Sequence, residues 1–208
     1  MLDNVATALA VLALAANALV LAALGGFLLS RTSAPMRDKW ERARDVVAPY
    51  ALPGALVVAV IATGGSLWFQ FGALLTPCDL CWFQRICMYP QTLLLGIAVA
   101  RRDLYTARRY MATLAACGAL ISAYHYQLER FPSQATFNCG TSGPVCSVAY
   151  FNIFRFVSIS YMALSAFLLI VTLLLMAREP QGEWDEEEAP ATSRAEDRVG
   201  SAARAAKR

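Results

Sequence analysis

Two pairs of cysteines are the residues of this chain whose type and spacing could do chemistry. Cys78 and Cys81 form a C-x-x-C in Thr76-Pro77-Cys78-Asp79-Leu80-Cys81, and Cys139 and Cys146 form a C-x6-C in Cys139-Gly140-Thr141-Ser142-Gly143-Pro144-Val145-Cys146. A C-x-x-C closes a very small ring, so it is more often catalytic or metal-binding than a stability staple. The thiolate is the reactive form, and two features favour it at Cys81: the start of a helix, and Arg85 four residues on along the same helical face. A lowered Cys81 pKa is therefore expected. Arg85 can equally be read as a boundary arginine snorkelling to lipid headgroups. The four cysteines do not follow a standard zinc spacing, and Trp82 stands where haem attachment needs histidine. The C-x6-C pair taken alone is as good a loop staple as an exchange site. Cys87 and Cys117 fall in apolar stretches and read as buried side chains without a redox role.

The elements that must position these residues are membrane helices. The chain has 208 residues, 58% of them apolar and only 16% charged, with a mean hydropathy of +0.46. Soluble domains carry about 25% charge, and a span needs about 20 apolar residues. Five stretches qualify: 5–29, 46–75, 82–100, 110–128 and 156–177. Strict alternation is absent, so each reads as a helix. A net charge of +3 excludes a basic nucleic-acid binder. The first span lacks a basic start and is long for a signal core, so a retained anchor with its N-terminus outside is expected, unless Met1 is a misassigned start.

Basic residues set the expected orientation. Arg31, Arg37, Lys39, Arg42 and Arg44 follow the first span; Arg101, Arg102, Arg108 and Arg109 separate the third and fourth; Arg178 and further basic residues follow the fifth. The positive-inside rule puts these segments in the cytoplasm and both cysteine pairs on the opposite side, where disulfides persist. His125, the sole histidine, then lies near the outer end of the fourth span, in the layer of Cys81 and Arg85. A lone histidine there is ordinarily a packed or interfacial residue, yet an ionisable group at this depth is a functional candidate. The chain divides into a helix and basic linker (1–45), a four-helix redox domain (46–178) and a charged tail (179–208) expected to be disordered.

The run Pro77-Cys78-Asp79-Leu80-Cys81-Trp82-Phe83-Gln84-Arg85-Ile86-Cys87-Met88-Tyr89-Pro90 resembles the signature of the DsbB family of bacterial disulfide-generating membrane proteins, in its BdbC-like branch. Tyr150-Phe151-Asn152 and Ser158-Ile159-Ser160-Tyr161-Met162-Ala163-Leu164 resemble the same branch. The resemblance spans about residues 50–177 and leaves out the first helix and the acidic tail. It implies an all-α integral membrane protein of the bacterial cytoplasmic (inner) membrane, a four-helix bundle here extended by one N-terminal helix. It implies a thiol:quinone oxidoreductase that reoxidises a thioredoxin-fold partner of the DsbA/BdbD type and passes electrons to ubiquinone or menaquinone. Cys139 and Cys146 match the pair that exchanges with the partner. Cys78 and Cys81 match the pair beside the quinone, with Cys81 nearest it. Arg85 matches the arginine that supports the quinone, and His125, with Pro132 seven residues on, more loosely matches a histidine near it.

Two other classes remain in view. Vitamin-K-epoxide-reductase-like enzymes run similar chemistry on a four-helix bundle but generally carry their C-x-x-C late in the chain. A non-enzymatic membrane subunit would use the cysteines only to brace its loops.

Overall fold

The structure, a computed structural model, describes residues 2–134 and 145–178; Cys139 and the tail from residue 179 lie outside them. Its long helices are α1 (Leu2–Ser30), α2 (Ala34–Leu67), α3 (Asp79–Arg101), α5 (Ala112–Arg130) and α6 (Ile159–Met176). A short α4 (Leu104–Thr106) and a π-helical turn (Ala107–Met111) lead into α5, and a second π-helical turn (Trp68–Gly72) extends α2. Among the described residues the only β pairing is a single bridge between Ile153 and Val157. The protein is an all-α integral membrane protein: α2, α3, α5 and α6 form a bundle, and α1 lies against α2 and α6.

Three stretches, Asp3–Ser30, Ala34–Gly72 and Ile159–Met176, are long and apolar enough to cross a membrane on length and composition alone. Helices α3 and α5 are less apolar because they carry Gln84, Arg85, Gln91, Ser122 and His125, all of them buried. Their polar side chains face the bundle interior, which is where such groups are tolerated at membrane depth. Lipid is as apolar as leucine, so close packing and interhelical hydrogen bonds hold such helices together. Both are present. Ala55, Ala59, Leu95, Ala115, Phe167 and Ile170 belong to one buried cluster. A β-carbon on Gly118 would overlap the Phe167 ring, so α5 and α6 approach through that glycine. Thr63 and Thr92 hydroxyls lie 2.8 Å apart across α2 and α3, and Gln91 donates to the Met111 carbonyl at 2.8 Å.

The helix ends explain the bundle's two faces. Arg178, just past α6, pairs with Asp45 at 2.8 Å and with Glu41 on α2. Arg44 donates to the Leu175 carbonyl at 3.0 Å. These contacts gather the arginine-rich termini at one end. At the other, Cys78 caps α3, its sulfur accepting the Cys81 N–H, and Ser158 caps α6, its hydroxyl accepting the Tyr161 N–H.

Helix α2 already begins at Ala34, within the basic stretch that follows the first span, and Pro49 and Pro53 lie inside it. The charged residues of this stretch are spaced by a helix that simply continues past the apolar span. One local expectation is corrected. Cys117 is exposed, whereas Cys87 is buried: it falls on a face of α5 that no other helix covers.

Candidate functional site

Helix α3 starts at the C-x-x-C motif, and the motif's geometry follows from the cap. Cys78 has an extended backbone and its sulfur accepts the Cys81 N–H at 3.3 Å, taking up one of the free amides of the first turn. Both thiols are free; Cys78 is buried and Cys81 half-buried. Both precede residues 82–100, the expected membrane-spanning part of α3. A hydrogen bond from the Cys81 thiol holds the Cys78 pKa down to about 5, assisted by His125 and the Cys81 amide against the opposing effect of burial. The expected lowering at Cys81 is therefore reversed. As donor to Cys78, Cys81 is held well above the usual thiol range. Only one thiol of so close a pair can ionise readily, and the cap position selects Cys78.

Behind Cys78 stands a chain of polar groups. His125 Nε2 lies 3.7 Å from Cys78 Sγ, and the Gln84 side-chain nitrogen lies 3.1 Å from His125 Nδ1. An amide N–H can only donate, so the network assigns Nδ1 as acceptor and the ring N–H to Nε2. That N–H faces Cys78 on one side and, at 3.8 Å, Glu129 Oε1 on the other. Glu129, one helical turn after His125, is buried and accepts hydrogen bonds from Ser158 at 2.5 Å and Ser160 at 2.6 Å. Cys78, Cys81, His125 and Glu129 line a small cavity of about 20 Å³ together with Val148 and Tyr150. That is room for one water molecule.

On the other side of the pair the surroundings change. Cys81, Gln84 and Arg85 line one end of a cavity of about 300 Å³, whose remaining wall is largely apolar. Arg85 is buried. It donates to Gln70 Oε1 and, at 3.3 Å, to the Ser66 carbonyl, and its guanidinium lies 5.3 Å from the centre of the Trp82 ring. The π-helical turn after α2 brings Gln70 to it, as such turns often serve sites. An arginine so held is fixed by the protein and does not reach out as a snorkelling side chain would.

Cys146 is buried and disulfide-bonded. Its neighbours Val145 and Val148 line the small cavity, so this segment lies over the Cys78–Cys81 motif. Tyr150 ties it down by donating to the Thr76 carbonyl, and Phe151 packs against Phe69 with ring centres 5.5 Å apart.

A family model described as disulfide bond formation protein DsbB matches residues 50–178. The chain belongs to the DsbB family. A probable disulfide formation protein of Coxiella burnetii (strain RSA 493 / Nine Mile phase I) is 40% identical over 129 residues, covering 62% of this chain and 87% of that protein. Disulfide bond formation protein C of Bacillus subtilis (strain 168) is 40% identical over 127 residues, covering 61% of this chain and 91% of its own. No solved structure matches significantly. This DsbB-family chain is thus a disulfide-generating membrane protein, and its branch is that of the C-type proteins.

In this DsbB-family bundle the structure brings Cys78, Cys81, Arg85 and His125 together, with Arg85 and His125 on opposite sides of the cysteine pair. Cys139 lies outside the described residues. Sequence reasoning missed Gln70, Gln84, Glu129, Ser158 and Ser160. Glu129 and Gln84 had a signal: each is a polar residue near the end of an apolar span, one turn from His125 and from Cys81 respectively. Gln70 and the serines had none, because only the folded bundle brings them to the site. Cys78, Cys81 and His125 also offer three ligand atoms within 4.8 Å of one another, a set suited to a soft cation while both thiols are reduced.

Proposed function

We propose that this protein is a thiol:quinone oxidoreductase of the bacterial cytoplasmic membrane that reoxidises a DsbA/BdbD-like thioredoxin-fold partner. One observation carries the reading. Cys81 lines both a large apolar cavity that also holds Arg85 and a small cavity that holds Cys78, His125 and Glu129 beside the disulfide-bonded Cys146 segment. An apolar chamber of this size beside a dithiol suits a lipid-borne acceptor, either ubiquinone or menaquinone.

The relay runs by thiol–disulfide exchange. Cys146 pairs with Cys139, and a partner thiolate attacks that bond, favouring Cys139. A second partner thiol then releases its oxidised disulfide, leaving Cys139 and Cys146 reduced. Their thiolate attacks the oxidised Cys78–Cys81 bond, restoring the loop disulfide and delivering two electrons to the inner pair. In the reduced inner pair Cys78 carries the negative charge and Cys81 holds the proton. His125 N–H steadies the Cys78 thiolate, Gln84 orients the imidazole through Nδ1 on its far side, and Glu129 lies beside the same Nε2 that faces Cys78. Re-forming the Cys78–Cys81 disulfide releases two electrons and the single proton of Cys81; a quinone held there would take these together with a second proton from solvent. Arg85 offers donors to an acceptor oxygen next to Cys81, and the apolar wall excludes water. A DsbA-like partner lies near about −120 mV, and each 30 mV of a two-electron gap adds about 1.4 kcal/mol of drive. Only an acceptor of higher potential can pull electrons from it, which a quinone provides.

The orientation goes with this reading. The arginine-rich end faces the cytoplasm and the cysteine end the extracytoplasmic side, by the positive-inside rule.

The test is direct. Purified protein mixed with a reduced thioredoxin-fold partner and ubiquinone or menaquinone is expected to consume quinone absorbance, and Cys81→Ser is expected to abolish this. Absence of turnover with both quinones overturns the reading. Turnover untouched by Cys81→Ser reduces the cysteines to structural braces.

A further inference from the structure

Helix α1 lies outside the matched family segment, which begins at residue 50. Yet α1 contributes Leu9, Leu12, Ala13, Ala16 and Leu19 to the wall of the large cavity. The same cavity holds Cys81 and Arg85; Leu9 packs at Gly65, one residue from the Ser66 carbonyl that Arg85 binds, so the α1 wall starts beside the arginine and continues to Leu19. From Leu9 to Leu19 the helix rises about 15 Å at about 1.5 Å per residue, so the α1 wall runs deep along the bundle.

This helix is seated on the bundle by specific contacts. Asn17 donates to Tyr161 Oη at 2.8 Å and to Ser165 Oγ at 2.9 Å, both on α6. A polar pair of bonds within apolar surroundings fixes register and rotation, because breaking it strands the amide in lipid. Against α2, Leu9 reaches to 3.0 Å from where a Gly65 β-carbon would sit, so the glycine admits it. Ala6, Ala10, Ala13 and Ala16 are buried along the inward side. Leu12, Leu19 and Ile61 line the cavity while remaining 50%, 60% and 42% exposed. They therefore form its rim, where the chamber meets surrounding lipid.

We infer that α1 is the tail-side wall of the quinone chamber, so that this chain recognises the prenyl tail of its acceptor through a helix its family segment does not contain. The inference rests on the quinone reading and goes beyond it. A tail laid along α1 exchanges lipid contacts for contacts with a fixed apolar wall, while the ring stays at the Cys81 end. Side-chain bulk on α1 then sets which tails fit.

Two measurements test it. A quinone carrying a photoreactive group on its tail, irradiated with the full-length protein in bilayer nanodiscs, is expected to label residues 2–30. In turnover assays, Ala13→Phe and Ala16→Phe are expected to lower the ratio of kcat/KM for a prenylated quinone to that for its tailless analogue at least tenfold. The ratio corrects for any loss of folded protein, since both substrates meet the same preparation. Labelling confined to other helices, or an unchanged ratio in both variants, overturns the wall while leaving quinone reduction intact. A wild-type protein that neither turns over the tailless quinone nor is labelled in any helix removes the quinone reading itself, and this inference with it.

Discussion

At the residue scale, the reactive chemistry depends on which of two neighbouring thiols ionises. The cap position gives that role to Cys78, through hydrogen bonds from the Cys81 thiol, the Cys81 amide and His125. A thiol lowered from the ordinary value to about 5 stabilises the reduced pair across the interval between the two values. That contribution is full above the ordinary thiol pKa, shrinks progressively as pH falls toward about 5, and is gone below it. Within that window the inner pair is a stronger oxidant than a plain dithiol, because its reduced form is favoured. Alkylation of the reduced protein, followed by peptide mapping of Cys78 against pH, is expected to show a midpoint near 5. His125→Phe removes a hydrogen bond to the thiolate and is expected to move the midpoint upward. A midpoint near about 8.5, the free-cysteine value, would reject the arrangement.

At the scale of elements, the site exists because two helices cross closely and one ends irregularly. Gly118 allows α5 to meet Phe167 of α6, and those helices carry His125 and Glu129 on one side and Ser160 on the other. Gly118→Leu is expected to force them apart. Overpacking of a filled interior costs about 1–3 kcal/mol, so thermal unfolding in detergent should occur at lower temperature. Because Glu129 depends on Ser158 and Ser160 across that seam, the Cys78 alkylation midpoint is expected to rise in the same variant. An unaltered unfolding temperature would show that the seam yields more easily than its packing indicates. The π-helical turn Trp68–Gly72 is the other irregular element, and its product is the Gln70 side-chain oxygen Oε1 accepting from Arg85.

At the scale of the whole molecule, the bundle gathers Arg44, Arg178, Glu41 and Asp45 at one end and carries the Cys78–Cys81 motif at the other. In intact cells under reducing conditions, a membrane-impermeant maleimide is expected to label Cys139 from outside, and a single cysteine introduced at Arg109 only after permeabilisation. Labelling in the reverse order would invert the proposed topology.

The class was legible in the chain itself, and so was the C-x-x-C motif on which the proposed chemistry rests. Apolar runs separated by arginine clusters specify helices and their alternation, because lipid leaves no other way to satisfy a backbone. The C-x-x-C followed by Arg85 locates the chemistry, since thiol reactivity depends on near neighbours along a helix. What the folded bundle alone decided was less local: the thiolate at Cys78 in place of Cys81, Gln84 behind His125 and Glu129 beside it, Cys117 exposed on α5, and α1 as part of a cavity wall. Each depends on which groups from distant segments share a few ångströms, and that depends on helix rotation and crossing. Interior packing sets those, and periodicity along one strand of sequence does not contain them.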